Sequence, residues 1–176
     1  MLLILSAVAV VLADQAVKLW VIGNIPPARE LIPGALSLVC VHNDGAAFSF
    51  LSGGGARYLF IFLALAFVAA VIAVIKKGFI KGKLECFCLA MIAGGGLANC
   101  IDRIVYGYVV DMFKVELFDF AVFNLADAFI TVFTVIFALK VLFSDTKKKP
   151  EGGSSAEAQA FSAERAVFSC RRFVGR

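Results

Sequence analysis

Four long apolar runs divide the chain, and polar residues enter them mainly toward one end. Residues 2–22 read LLILSAVAVVLADQAVKLWVI, 58–75 read YLFIFLALAFVAAVIAVI, 86–105 read CFCLAMIAGGGLANCIDRIV and 122–143 read VFNLADAFITVFTVIFALKVLF. A helix needs about 20 apolar residues to cross a bilayer, so each run predicts a transmembrane span. The segment 23–57 breaks the pattern. It opens with turn residues Gly23, Pro26, Pro27, Pro33 and Gly34, then LSLVCVHN (36–43) has the β-branched, partly alternating look of a short strand. SGGGA at 52–56 reads as a flexible approach to the second span, and 106–121 as a short loop. The fold class that follows is an all-α polytopic membrane protein: four transmembrane helices with a small extracytoplasmic β-cradle over about residues 23–57. Residues 1–143 form this domain, and 144–176, opening SDTKKKPEGGSS, form a flexible cytoplasmic tail in which a weak amphipathic helix is the alternative.

Composition narrows the class. The chain has 176 residues, 61% of them hydrophobic and 17% charged, against roughly 45–50% apolar in an ordinary soluble domain. No large soluble domain fits beside four spans. The first run lacks a basic n-region and continues into Asp14, Gln15 and Lys18, which argues against a cleaved signal peptide.

Basic residues set the orientation. Lys76, Lys77, Lys81 and Lys83 lie between spans two and three, and Lys147, Lys148 and Lys149 follow span four. The positive-inside rule puts both blocks in the cytoplasm. Both termini are then cytoplasmic, while 23–57 and 106–121 lie outside. The net charge of +4 is a topology signal with some affinity for anionic membrane lipid, and it gives no case for nucleic acid, since no stacking platform accompanies it. Five cysteines, Cys40, Cys86, Cys88, Cys100 and Cys170, show neither disulfide nor zinc spacing.

Ionisable groups inside spans are costly and mark functional positions. Asp14 and Lys18 lie in the outer half of span one, Asn99, Asp102 and Arg103 at the outer end of span three, and Asn124 and Asp127 at the outer start of span four. Separations of three or four residues put each group on one helical face, so three polar faces converge at one membrane level. Gly94, Gly95 and Gly96 allow close packing of span three on a neighbour. Asp111, in the outside loop, is placed to fold down onto this pocket. Asp14–Lys18 as a local ion pair and Asp102–Arg103 as an interfacial anchor are equally open readings. Asp127 has no basic residue three or four positions away.

A second carboxylate sharing a proton would keep such a group, because like charges close together push their pKa values apart. One acid and one base can then direct water at an amide carbonyl without a metal or cofactor. Other chemistries fit less well. His42, the lone histidine, has no HExxH partner and reads as a strand or rim residue; Ser49 and Ser52 lack the surroundings of a nucleophile opposite Lys18; the GxGD segment of presenilin-type proteases is absent. A small proton-coupled transporter or channel subunit is the alternative, but its polar groups would sit near the midplane with repeats or broken helices.

Taken together, DQAVK (14–18), HNDGAAFSF (42–50), GGGLANCIDRIVYGYVVD (94–111) and FNLAD (123–127) strongly resemble the lipoprotein signal peptidase, or signal peptidase II, family of bacterial membranes, over about residues 10–135. The resemblance implies an aspartic endopeptidase of the inner membrane, acting as a monomer at the outer face. It removes the signal peptide of prolipoproteins by cutting before the cysteine that carries diacylglyceryl. It implies Asp111 and Asp127 as the catalytic pair, and Asn43, Asn99, Arg103 and Asn124 as substrate-binding residues. Asp14, Lys18, Gly95, Asp102 and Ala126 are implied to hold the architecture. No metal or cofactor is implied.

The chain departs from the family pattern at three places. Asp44 stands where a small hydroxyl residue is usual, Val122 where a proline often precedes FNLAD, and the stretch between Asp111 and that motif is short, while the tail is long. The resemblance also fits the bilayer: a diacylglyceryl chain holds a scissile bond at the surface, so lateral diffusion and anchoring supply binding that peptide recognition need not. The outside segments would then close over the substrate as a lid.

Overall fold

A computed structural model describes residues 1–25, 28–45 and 55–144. The chain divides into two units, Met1–Lys140 and Val141–Arg176; of the second, the structure describes the last residues of one helix. The tail from 145, Ser49 and Ser52 lie outside the described residues.

Four helices carry the apolar runs: α1 (Leu2–Asn24), α2 (Gly55–Lys76), α3 (Lys83–Val105) and α4 (Leu125–Ser144). All four are long and apolar enough to cross a membrane. Their ends differ from the hydropathy limits for local reasons. Asn24 Nδ2 donates to the Trp20 carbonyl at 2.8 Å, so Gly23 lies inside α1. Gly55 and Ala56, read as approach, open α2. Val122–Asn124 precede α4 because Phe123 pairs across to Phe113 as an isolated bridge.

α3 is the central helix. In its most apolar window 61% is buried, against 17% in α1 and 6% in α2 and in α4. Small residues allow this: a Cβ on Gly94 would lie 2.7 Å from the Ala7 carbonyl of α1, and one on Gly95 2.9 Å from the Ala126 carbonyl of α4. Gly96, expected to serve the same purpose, has nothing within 4 Å. Ala7 facing Gly94 and Lys18 facing Asp102 make α1 parallel to α3. α2, with Arg57 at Ile104, and α4, with Phe87 on Phe133, run the other way.

The β-cradle is a three-stranded antiparallel sheet, β1 (Ala28–Ile32), β2 (Leu36–Asn43) and β3 (Val109–Val115), with β2 central. The 36–43 strand has the expected limits. β3 takes up Val109–Val115 of the stretch read as a loop, so Asp111 is held by a ladder, opposite Val41. Gly34, at φ 67°, closes the β1–β2 hairpin, a backbone conformation that costs glycine nothing. Leu38 and Met112 bury against Val21 and Ile25 of the α1 end. The cradle therefore rests on the same end of α1 and α3 that carries the polar residues.

Candidate active site

The polar residues of three helices and the sheet meet in one network. At its base lies Lys18, 2% exposed, with its ammonium 2.7 Å from Asp14 Oδ2 and 2.8 Å from Asp102 Oδ2, both carboxylates fully buried. The two sequence readings of local pairs therefore resolve differently: Asp14–Lys18 is an ion pair, but Asp102 joins it across helices, while Arg103 turns elsewhere. A buried charge cluster is tolerable only when its remaining polar atoms are satisfied. Gln15 Nε2 donates to Asp102 Oδ1 at 2.6 Å, the Val110 peptide N–H to Asp102 Oδ2 at 3.1 Å and the Ala126 N–H to Asp14 Oδ1 at 2.8 Å. Lys18 also donates to Asn99 Oδ1 at 3.0 Å.

Each carboxylate of this base thus fixes the peptide just before another aspartate. Asp102 holds Val110, ahead of Asp111; Asp14 holds Ala126, ahead of Asp127. The cluster pins the strand and the helix that carry the upper pair.

Above it, Asn124 joins that pair. Its Nδ2 donates to Asp111 Oδ1 at 2.7 Å and to Asn99 Oδ1 at 3.0 Å, and its peptide N–H to Asp127 Oδ2 at 3.2 Å. Asp127 N–H returns a bond to Asn124 Oδ1 at 2.9 Å, so the two residues form a capping box at the start of α4. This answers in part why an apolar span carries Asp127: as the third helical residue it satisfies a free backbone donor, and its negative charge lies at the positive end of the helix dipole. Asn99 Nδ2 donates to the other oxygen, Asp127 Oδ1, at 2.8 Å.

Asp111 is 1% exposed. Burial pushes its carboxyl above the ordinary aspartate value of 3.8 and the Asp127 charge adds to this, while hydrogen bonds from Asn43 and Asn124, and the charge of Lys18, work against it. Asn43 Nδ2 donates to Asp111 Oδ2 at 2.9 Å, so this residue, expected at the substrate backbone, here contacts an aspartate. Its own oxygen accepts the Gly45 N–H at 3.0 Å. Asp44 beside it is exposed.

Arg103 is half-buried, donates to the Asn99 carbonyl at 3.2 Å, and lies 4.7 Å over the Phe60 ring. His42 is exposed on β2 and stacks on Tyr108 at 4.0 Å between centroids. The structure thus brings Asp14, Lys18, Asn43, Asn99, Asp102, Asp111, Asn124, Ala126 and Asp127 into one hydrogen-bonded set, with Arg103 attached through the Asn99 backbone and Gly95 behind Ala126. Gln15 was missed, although an amide beside Asp14 in an apolar run was a signal.

Comparison with known proteins decides the family. The model for "Signal peptidase (SPase) II" matches residues 6–143. The chain belongs to the signal peptidase II family. It is accordingly a peptidase, and the transporter reading falls away. A lipoprotein signal peptidase of Streptococcus thermophilus (strain CNRZ 1066) is 38% identical over 136 residues, 76% of this chain and 88% of the relative. One of Bartonella henselae is 40% identical over 151 residues, 83% and 91%. A solved structure described as a bacterial membrane enzyme, at 2.3 Å resolution, superposes with a TM-score of 0.74 at 30% identity, covering 87% of this chain and 94% of that one. Another, at 1.9 Å, gives 0.74 at 28%. This signal peptidase II chain thus shares its fold with those bacterial membrane enzymes.

Proposed function

We propose that this chain is an aspartic endopeptidase that removes the signal peptide from diacylglyceryl-modified prolipoproteins, cutting before the lipidated cysteine, with Asp111 and Asp127 as its catalytic pair. The observation that carries the reading is that one residue, Asn124, binds both carboxylates, through Nδ2 at 2.7 Å and its peptide N–H at 3.2 Å. Asp14 and Asp102, by contrast, are committed to Lys18.

The roles follow from the surroundings. Asp111, buried and held above the usual carboxylate range, is the protonated partner that donates to the carbonyl oxygen as it becomes an oxyanion. Asp127 takes a proton from the attacking water, a C–O bond forms, and the proton passes to the leaving nitrogen as the C–N bond breaks. The cycle needs no metal or cofactor. Arg103 and Asn43 at the edge of the site, and Asn99 within it, hold the extended substrate backbone. The lysine blocks support a site at the outer face of the inner membrane, level with the diacylglyceryl group, with both termini cytoplasmic. The working unit is a monomer.

The test uses purified protein with a diacylglyceryl-modified precursor and its unmodified counterpart. Only the first is cut, and Asp111→Asn and Asp127→Asn each reduce cleavage by at least 10³-fold while the protein stays inserted and folded. Near-normal turnover by either variant, or equal cleavage of both precursors, overturns the reading.

A further inference from the structure

At the end of the helices away from the site, α1 and α2 both pack on α3 and leave between them an apolar cavity of about 580 Å³. Its walls run over Leu3–Leu12 of α1, Val68–Lys76 of α2 and Ala90–Ile101 of α3. α1 is held on α3 at this level by the Gly94–Ala7 contact, and the Arg57 bond to the Ile104 carbonyl holds α2 on α3 at the opposite end. An empty void would forfeit the dispersion contacts of every wall atom, so the cavity has an occupant in the bilayer.

We propose that the cavity is a binding site for one acyl chain of an anionic phospholipid, whose phosphate is held by Lys76 and Lys77. Depth, wall chemistry and charge each favour this occupant. At 1.5 Å per residue, the lining stretches are about 12–17 Å tall, close to half of a hydrocarbon core of about 30 Å: one leaflet. An acyl chain is apolar along its whole length, as these walls are. The wall has no polar group to orient a headgroup, but the Lys76 stem lines the mouth, so its ammonium extends to the interface. Lys77 follows it, with Lys81 on the same connection and Lys83 opening α3. Polybasic positions of this kind favour anionic lipid.

The experiment takes delipidated full-length protein in detergent and adds phosphatidylglycerol or phosphatidylcholine of identical chains, reading bound lipid by native mass spectrometry and unfolding by thermal midpoint. One phosphatidylglycerol is retained per protein and raises the midpoint more than phosphatidylcholine does. Lys76→Gln and Lys77→Gln each weaken this preference about fivefold. Val8→Trp, a change at the half-exposed rim, abolishes retention while the protein remains folded; should it misfold, Val68→Trp fills the same space from α2. Equal retention of both lipids, a preference unmoved by the lysine changes, retention by a folded cavity-filled variant, or displacement of the lipid by an added signal-peptide helix each overturns the proposal.

Discussion

Asp102 Oδ2 accepts the peptide N–H of Val110 at 3.1 Å while lying 2.8 Å from Lys18 Nζ. The strand that presents Asp111 is thereby tied to a charge buried in the helix bundle. The equivalent tie for α4 is Asp14 on the Ala126 N–H at 2.8 Å.

Removing the charge that holds both ties is the most damaging structural change. Lys18→Met leaves two buried carboxylates facing each other, an arrangement that costs about 3–5 kcal/mol when one partner of a buried pair is deleted. Thermal unfolding in detergent should show the loss. Asp102→Asn keeps a side-chain oxygen for Val110, so its turnover should fall less than that of Asp111→Asn; an equal fall with intact folding would move the catalytic assignment to Asp102.

The pH profile tests the state of Asp111. Burial raises its pKa above 3.8, so the protonated form persists beyond the ordinary aspartate range and activity declines as pH rises through the raised value. The same sign applies to folding: this group's contribution is full below about 3.8 and is lost as pH climbs through the folded pKa. The Asn43 hydrogen bond opposes the shift. Asn43→Ala should therefore move the alkaline limb of kcat/KM to higher pH, and a limb that moves down or stays fixed contradicts the assigned protonation.

Asn124 has two separable duties. Asn124→Ser retains a helix cap but cannot reach from the cap to Asp111 or Asn99, so stability should fall by about 1–3 kcal/mol while turnover drops by about 10²-fold. Asn124→Ala should lose both. Comparable turnover in the serine variant and the native chain would show that the bridge is dispensable.

Gly95 and Gly96 of α3 should respond differently. A Cβ at Gly95 meets Ile130 Cγ1 at 2.7 Å and the Ala126 carbonyl at 2.9 Å, so Gly95→Ala pushes on the residue beside Asp127 and should cost about 1–3 kcal/mol along with activity. Gly96→Ala meets nothing within 4 Å and should be neutral or stabilising by up to about 1 kcal/mol. Melting and turnover measured on the pair distinguish packing from general intolerance of α3.

Much of this architecture was readable before folding was considered. The spans were visible because a bilayer demands about 20 apolar residues in a row, and a carboxylate within such a run stands out. β2 was visible from its alternation. β3 was not: VVDMFKV has apolar residues on both sides of Asp111, and its strand state depends on pairing with β2 from residues more than 60 positions earlier. The capping role of Asp127 was within reach, since Asn-x-x-Asp spacing marks a helix start, yet the apolar residues before Asn124 masked the boundary.

The sequence by itself determined the solvent, the number of crossings and the chemical inventory, because each follows from local hydropathy and from what a lone charge costs in lipid. Only the tertiary structure decided the partnerships. Whether Lys18 serves Asp14 alone or Asp102 as well, and whether Asn124 reaches Asp111, depends on distances between segments that spacing along a chain does not encode. Those distances are set by the close approach that Gly94 and Gly95 permit, and by the buried ties from Asp102 to Val110 and from Asp14 to Ala126.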